Sequence, residues 1–261
     1  MLESATSPAQ TVSNAQIQPL LKSVATLLDG TYSDFEISCE GKSWKVHRAI
    51  IGPRSQFFRA CFEEFKARKI LCPESTTSIV DLKEIAGGPE ILDAAINYLY
   101  TAQYISGHSP LLHHVQMCIF ADRHNIADLV TRSEEEFSQQ VQSVLDGGHA
   151  FDRFDYSNAV KLIYTSFPAH GALHTRAEDL AVAKAEILFS GTDEAVEFQE
   201  RIKSNTQFLI NVCRRSAVSK KPQGDTPPAV DLLGPTAPVN LDFSWVDQPS
   251  SHRRPRRPRP S

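Results

Sequence analysis

Apolar positions change their spacing several times along the chain, and each change marks an element. Ile17, Leu20, Leu21, Val24, Leu27 and Leu28 recur at helical spacing and Gly30 follows as a stop, which predicts a short amphipathic helix with one strong apolar face. That face needs a partner, either its own domain or another copy. Phe35, Ile37 and Cys39 then alternate with Glu36, Ser38 and Glu40, the period of a half-buried strand. Glu40-Gly41-Lys42 suits a tight turn, and Trp44 and Val46 carry the alternation into a second strand. The pattern stops after Arg48, Gly52-Pro53 breaks the chain, and Ser55 is placed to cap a short helix bearing Phe58, Cys61 and Phe62.

Ser78 to Leu82 reads as a third strand, and Pro89 suits the first position of a helix whose face holds Ile91, Leu92, Ala95, Ile96 and Leu99. A further helix is predicted from Leu111 to His124, and Ile126 to Val144 predicts one or two more helical turns. Segment 154–212 shows no strand alternation; its apolar residues predict three helices, around Val160–Phe167, Leu180–Leu188 and Val196–Val212. Nine of the sixteen prolines fall in the last 43 residues, where periodicity disappears. That end, like the small polar residues 1–14, is expected to be disordered.

Composition narrows the functional classes. Of 261 residues, 41% are apolar and 22% charged, enough for a packed core. The net charge of −4 hides an asymmetry: residues 219–261 carry seven Lys/Arg against four Asp, so the rest of the chain stands near −7. An acidic body argues against nucleic-acid binding by the folded part. Five cysteines without a C-x-x-C pair read as reduced thiols of a cytoplasmic or nuclear protein. MLESATSPAQ has neither a basic start nor an apolar run, so no signal peptide is expected. No stretch approaches ~18 uninterrupted apolar residues, so no membrane span is expected either.

The order helix, hairpin, short helices, strand, helices resembles the BTB/POZ domain when combined with particular words. These are Ser33-Asp34, Val46-His47-Arg48, Ser55-Gln56-Phe57-Phe58, Tyr98-Leu99-Tyr100-Thr101 with Tyr104, and LLHHVQMCIFADRHNIADL at 111–129. The last is similar to a pattern of fungal BTB proteins, and the whole match spans about 31–145. The resemblance implies an α+β fold, a small sheet flanked by helices, followed by an all-α extension. The expected organisation is 1–14 disordered, 15–145 BTB/POZ domain with its N-terminal helix, 146–217 helical extension and 218–261 disordered Pro/Arg-rich tail.

The resemblance also implies a non-enzymatic, self-associating protein-interaction module acting as a scaffold or regulatory protein. It places Ile17, Leu20, Leu21, Val24, Leu27 and Leu28 at the dimer interface, with Asp34 and Arg48 together in a charged pocket beside it. The alternative is a substrate adaptor of a cullin-based ubiquitin ligase. Family members that bind the cullin scaffold carry an aromatic-x-Glu; the aligned residues here are Phe65, Lys66 and Ala67, without the acid.

Residues that could bear chemistry have readings of their own. His47, between a strand and an apolar run, reads as a hydrogen-bonded core residue. His114, Cys118 and His124 invite a zinc reading, but Cys118 falls on the apolar stripe and no second ligand pair has suitable spacing. There is no G-x-S-x-G, P-loop or G-x-G-x-x-G, so neither catalysis nor a cofactor or metal is predicted. Arg253, Arg254, Arg256, Arg257 and Arg259, interleaved with prolines, read as a nuclear import signal, a polyanion contact or a solvated tail.

Overall fold

The structure is a computed structural model and describes residues 14–71, 79–108, 110–168 and 171–219. The five tail arginines lie outside the described residues, as does nearly all of both segments read as disordered. Asn14, Val218 and Ser219, assigned from sequence to those segments, belong to helices.

Helix α1 (Asn14–Ala25) runs into a 3-10 turn, Thr26–Asp29. Gly30 closes it at φ 83, where its N–H returns to the Leu27 carbonyl at 3.1 Å. A Cβ there would lie 2.9 Å from the Lys45 Cβ, so both the backbone angle and the space demand glycine. Strand β1 (Phe35–Cys39) is the centre of a three-stranded sheet in the order β2-β1-β3. It pairs antiparallel with β2 (Lys42–Val46), Phe35 opposite Val46 and Cys39 opposite Lys42. The turn between them places Glu40 at φ 47 and Gly41 at φ 82, the paired positive angles that suit the strand twist. Strand β3 (Ile79–Asp81) joins the other side of β1 in parallel, Ile37 beside Val80.

After β2 come α2 (Arg48–Ile51) and a 3-10 turn, Gly52–Arg54. The cap at Ser55 forms as predicted: its Oγ accepts the Phe58 N–H at 3.1 Å and donates to the His124 carbonyl at 2.7 Å. The helix it opens, α3 (Gln56–Leu71), is not short but has 16 residues. Helix α4 (Gly88–Thr101) starts with Pro89 in its first turn, and α5 (Pro110–Arg123) follows. The one or two turns expected after Ile126 are a single 19-residue helix, α6 (Ala127–Leu145). Among its described residues the extension has five helices rather than three: α7 (Arg153–Ser166), α8 (Ala172–Ala183), α9 (Ala185–Leu188), α10 (Asp193–Ile202) and α11 (Thr206–Ser219).

Two hydrophobic cores result, and α5 belongs to both. Met117, Phe120 and Ala121 face the sheet-side core with Phe35, Ile37, Val46, Phe58, Ile91 and Leu99. Leu111, Val115 and Cys118 face a helical core with Phe137, Val141, Tyr156, Ile163, Leu180, Phe198 and Phe208. Helix α6 is divided likewise, with Leu129 in the first core and Phe137, Val141 and Val144 in the second.

Polar groups tie the helical core together. The buried Asp155 carboxylate of α7 accepts the N–H groups of Leu111 and Leu112 at 3.0 and 3.1 Å, satisfying donors that open α5 and have no partner within their own helix. Burial pushes its pKa up. Buried Glu178 of α8 accepts from Tyr164 Oη and Asn211 Nδ2, each at 2.7 Å, and pairs with Arg215 Nε at 2.7 Å. Arg215 also bonds Asp179.

Candidate functional site

The corner where β2 meets α2 collects the residues that the sequence singled out. Asp34 continues the ladder with its N–H to the Val46 carbonyl at 3.2 Å, which holds its side chain over the start of α2. Its Oδ1 accepts the Arg48 N–H at 2.9 Å. The Arg48 guanidinium returns to the Asp34 carbonyl at 3.3 Å and stands 3.9 Å from Oδ2. The guanidinium lies over the Phe35 ring at 5.0 Å and near Phe62 at 5.8 Å, covering the rim of the sheet-side core. The side chains are 28% and 57% exposed for Arg48 and Asp34 respectively, so this pair lies at the rim, open to solvent and to a partner.

His47 is 8% exposed and fully engaged. Nε2 lies 2.7 Å from the Thr31 carbonyl, which can only accept, so Nε2 carries a proton. In the singly protonated ring Nδ1 then accepts from Tyr100 Oη at 2.7 Å, while that hydroxyl accepts the His47 backbone N–H at 2.9 Å. Burial pushes the Tyr100 pKa up to about 12. The chain Thr31–His47–Tyr100 therefore stitches the α1 arm, the hairpin and α4 into one corner. Tyr100 was part of a quoted sequence word, but nothing local revealed its partner 53 positions away.

The dimer candidates divide. Val24, Leu27 and Leu28 pack on the protein's own sheet-side core, whereas Leu20 is 64% exposed and Ile17 and Leu21 are half-buried. Tyr32, which no pattern in the sequence singles out, is 88% exposed at φ 63 in the loop following the arm. Its only sequence signal was its place between the Gly30 stop and the first strand.

Phe65 and Ala67 lie within α3. The half-buried Phe65 ring meets Phe35 edge-on at 5.2 Å, and Ala67 is exposed. The Lys66 side chain is outside the described residues. His114, Cys118 and His124 are not gathered. His114 Nδ1 bonds Tyr104 Oη at 2.9 Å, and burial, with a smaller contribution from His113, lowers its pKa to about 3. Burial raises Cys118 to about 11. His124 donates from Nδ1 to the Phe120 carbonyl at 2.7 Å and stacks on the Phe120 ring at 4.1 Å. Among the described residues, no group of three His, Cys, Asp or Glu could hold a metal ion, and no helix is long and apolar enough to cross a membrane.

No curated protein is significantly similar to the chain. Among solved structures, the BTB domain of zebrafish PATZ1 is 13% identical with a TM-score of 0.39, covering 50% of this chain and 99% of that one. The BTB (Tramtrack and Bric a brac) domain of human gigaxonin is 19% identical with a TM-score of 0.37, covering 49% of this chain and 96% of that one. The family model of the BTB/POZ domain matches residues 25–141, the span from the end of the α1 arm through most of α6, so the chain carries a BTB/POZ domain, a protein–protein interaction module.

Proposed function

We propose that this protein is a non-enzymatic scaffold or regulatory protein, of the type with a helical extension that its sequence resembles in fungi. It pairs with itself through the BTB/POZ domain, presents that domain to a second protein, and works in the cytoplasm or nucleus. The division of the α1 arm carries the reading. Its inner residues Val24, Leu27 and Leu28 are anchored on the core, which holds Leu20 in the open on a helix already fixed in place. An anchored helix with an uncovered apolar residue suits a two-fold contact in which the same patch serves both copies. Asp34 and Arg48 stand open at the nearby corner and would fix its register. Leu20→Asp is the clean probe, because Val24 also packs on its own core. We expect a monomer by light scattering with unchanged helical content by circular dichroism. A wild type that is already monomeric at high micromolar concentration would overturn self-association.

Adaptor function for a cullin-based ubiquitin ligase has less support. Phe65 is spent on Phe35, and Ala67 offers no carboxylate where a Glu would meet the scaffold. We expect weak or absent capture of a cullin scaffold by the wild type. Ala67→Glu should gain roughly tenfold, about 1.4 kcal/mol. Micromolar or tighter binding by the wild type, indifferent to changes at Phe65 and Ala67, would restore the adaptor reading.

A further inference from the structure

Far from the BTB/POZ corner in sequence, α11 leaves one stripe uncovered. Ile210 is 39% and Val218 73% exposed, and Arg214 lies between them at four-residue spacing. Residues four apart share a helix face, so the three form one line. Beside that line is a groove of about 510 Å³, lined from α8 by Asp179, Val182 and Ala183 and from α11 by Arg214, Arg215 and Val218. Three of its six lining residues, Val182, Ala183 and Val218, are apolar, and the other three are charged.

The two rim cations differ. Arg215 is committed inward to Glu178 and Asp179. Arg214 is exposed and pairs with no carboxylate among the described residues. The groove therefore combines an apolar trough with one available positive charge midway along an open helical stripe.

We infer that this groove docks an amphipathic helical segment of another protein, with apolar residues at one-turn spacing and a carboxylate between them that meets Arg214. A helix laid along α8 and α11 would place its apolar positions on Val182, Ala183 and Val218, the familiar helix-in-groove mode of recognition. Charge complementarity selects the acid: a basic helix would set like charges together at the rim, whereas an acidic one supplies the missing partner of Arg214.

The test titrates full-length protein into fluorescently labelled alanine-based helical peptides carrying leucines one turn apart, with either glutamate or lysine between them. Binding is read by anisotropy. The glutamate peptide should bind the wild type roughly tenfold more tightly than the lysine peptide. Arg214→Glu should reverse that preference, and Val218→Asp should abolish binding of both. All substitutions are at exposed positions of α11, so helical content by circular dichroism should stay unchanged. Failure of both peptides to bind, equal binding of the two charge forms, or undiminished binding by Val218→Asp would overturn the assignment. Self-association that Val218→Asp removes but Leu20→Asp leaves intact would also overturn it, because a second copy would then be the occupant.

Discussion

In the sheet-side core the buried polar contacts, such as His47 against Tyr100, are uncharged, and the charged pair Asp34–Arg48 stays at the rim. The helical core instead buries two carboxylates, Asp155 and Glu178, and surrounds each with donors. Backbone geometry accounts for much of the contrast. Pairing satisfies the groups along β1 from both sides, so the sheet region needs only a neutral stitch where strand gives way to helix. A helix begins with N–H groups that have no partner within it, and α5 opens against the second core. An acceptor reaching over from α7 answers that need. Burying such a group is tolerable only while its partners remain in place.

Removing the helical core altogether is the harshest way to break the comparison. A chain ending at residue 145 would expose Leu111, Val115, Cys118, Phe137, Val141 and Val144, now all nearly inaccessible. At ~1.5–3 kcal/mol for each large apolar side chain, the loss rivals the 5–15 kcal/mol that holds a typical domain together. We expect insoluble or molten material, and a cooperative melting transition in the truncated protein would show that the two cores are separable.

Glu178→Leu tests the buried-carboxylate side alone. It would strip Tyr164, Asn211 and Arg215 of their common acceptor, for a loss of about 3 kcal/mol, at the low end of the 3–5 kcal/mol typical of a fully buried pair because Arg215 is partly solvated. At roughly 2–4 °C per kcal/mol, the melting temperature should fall by about 6–12 °C. A fall no larger than that of a surface variant would mean that these contacts are dispensable.

Tyr100→Phe is the milder test, of the neutral stitch. It leaves the His47 backbone N–H and Nδ1 without their hydroxyl, at about 1–3 kcal/mol, and should be seen in thermal melts as a smaller downward shift. If it proved more damaging than Glu178→Leu, the ordering of the two regions would have to be reversed.

The same contrast explains what could be read from the sequence. The hairpin was legible because strands declare themselves by strict alternation, and Phe35, Ile37 and Cys39 are indeed buried while Glu36 and Ser38 are less so. Helix α6 was underestimated because its apolar stripe is interrupted. Between Leu129 and Phe137 the buried position is Ser133, whose Oγ returns to the Val130 carbonyl at 2.8 Å, and Glu134 to Glu136 mask the period. In the extension, fully buried positions include Ala159, Ala177, Ala181 and Ala195, which pack tightly but add little to a hydrophobic pattern. Asp34 and Arg48 were brought together only by the resemblance, since a pairing between residues fourteen apart leaves no periodic trace. Asp155 gave no signal, because nothing local distinguishes an acid that caps a distant helix from one that faces water.

Helix α5 also sets a schedule for biosynthesis. The ribosome delivers the sheet-side elements first, yet one flank of α5 stays unprotected until the chain has been extended through α7, which ends at Ser166. At about 5–20 residues per second, the interval from the end of α6 amounts to roughly one to four seconds. Throughout that time Leu111, Val115 and Cys118 form a sticky strip on an otherwise closing domain. Slow codons, a chaperone or an early partner acting within that window would influence yield more than they alter the finished protein's stability.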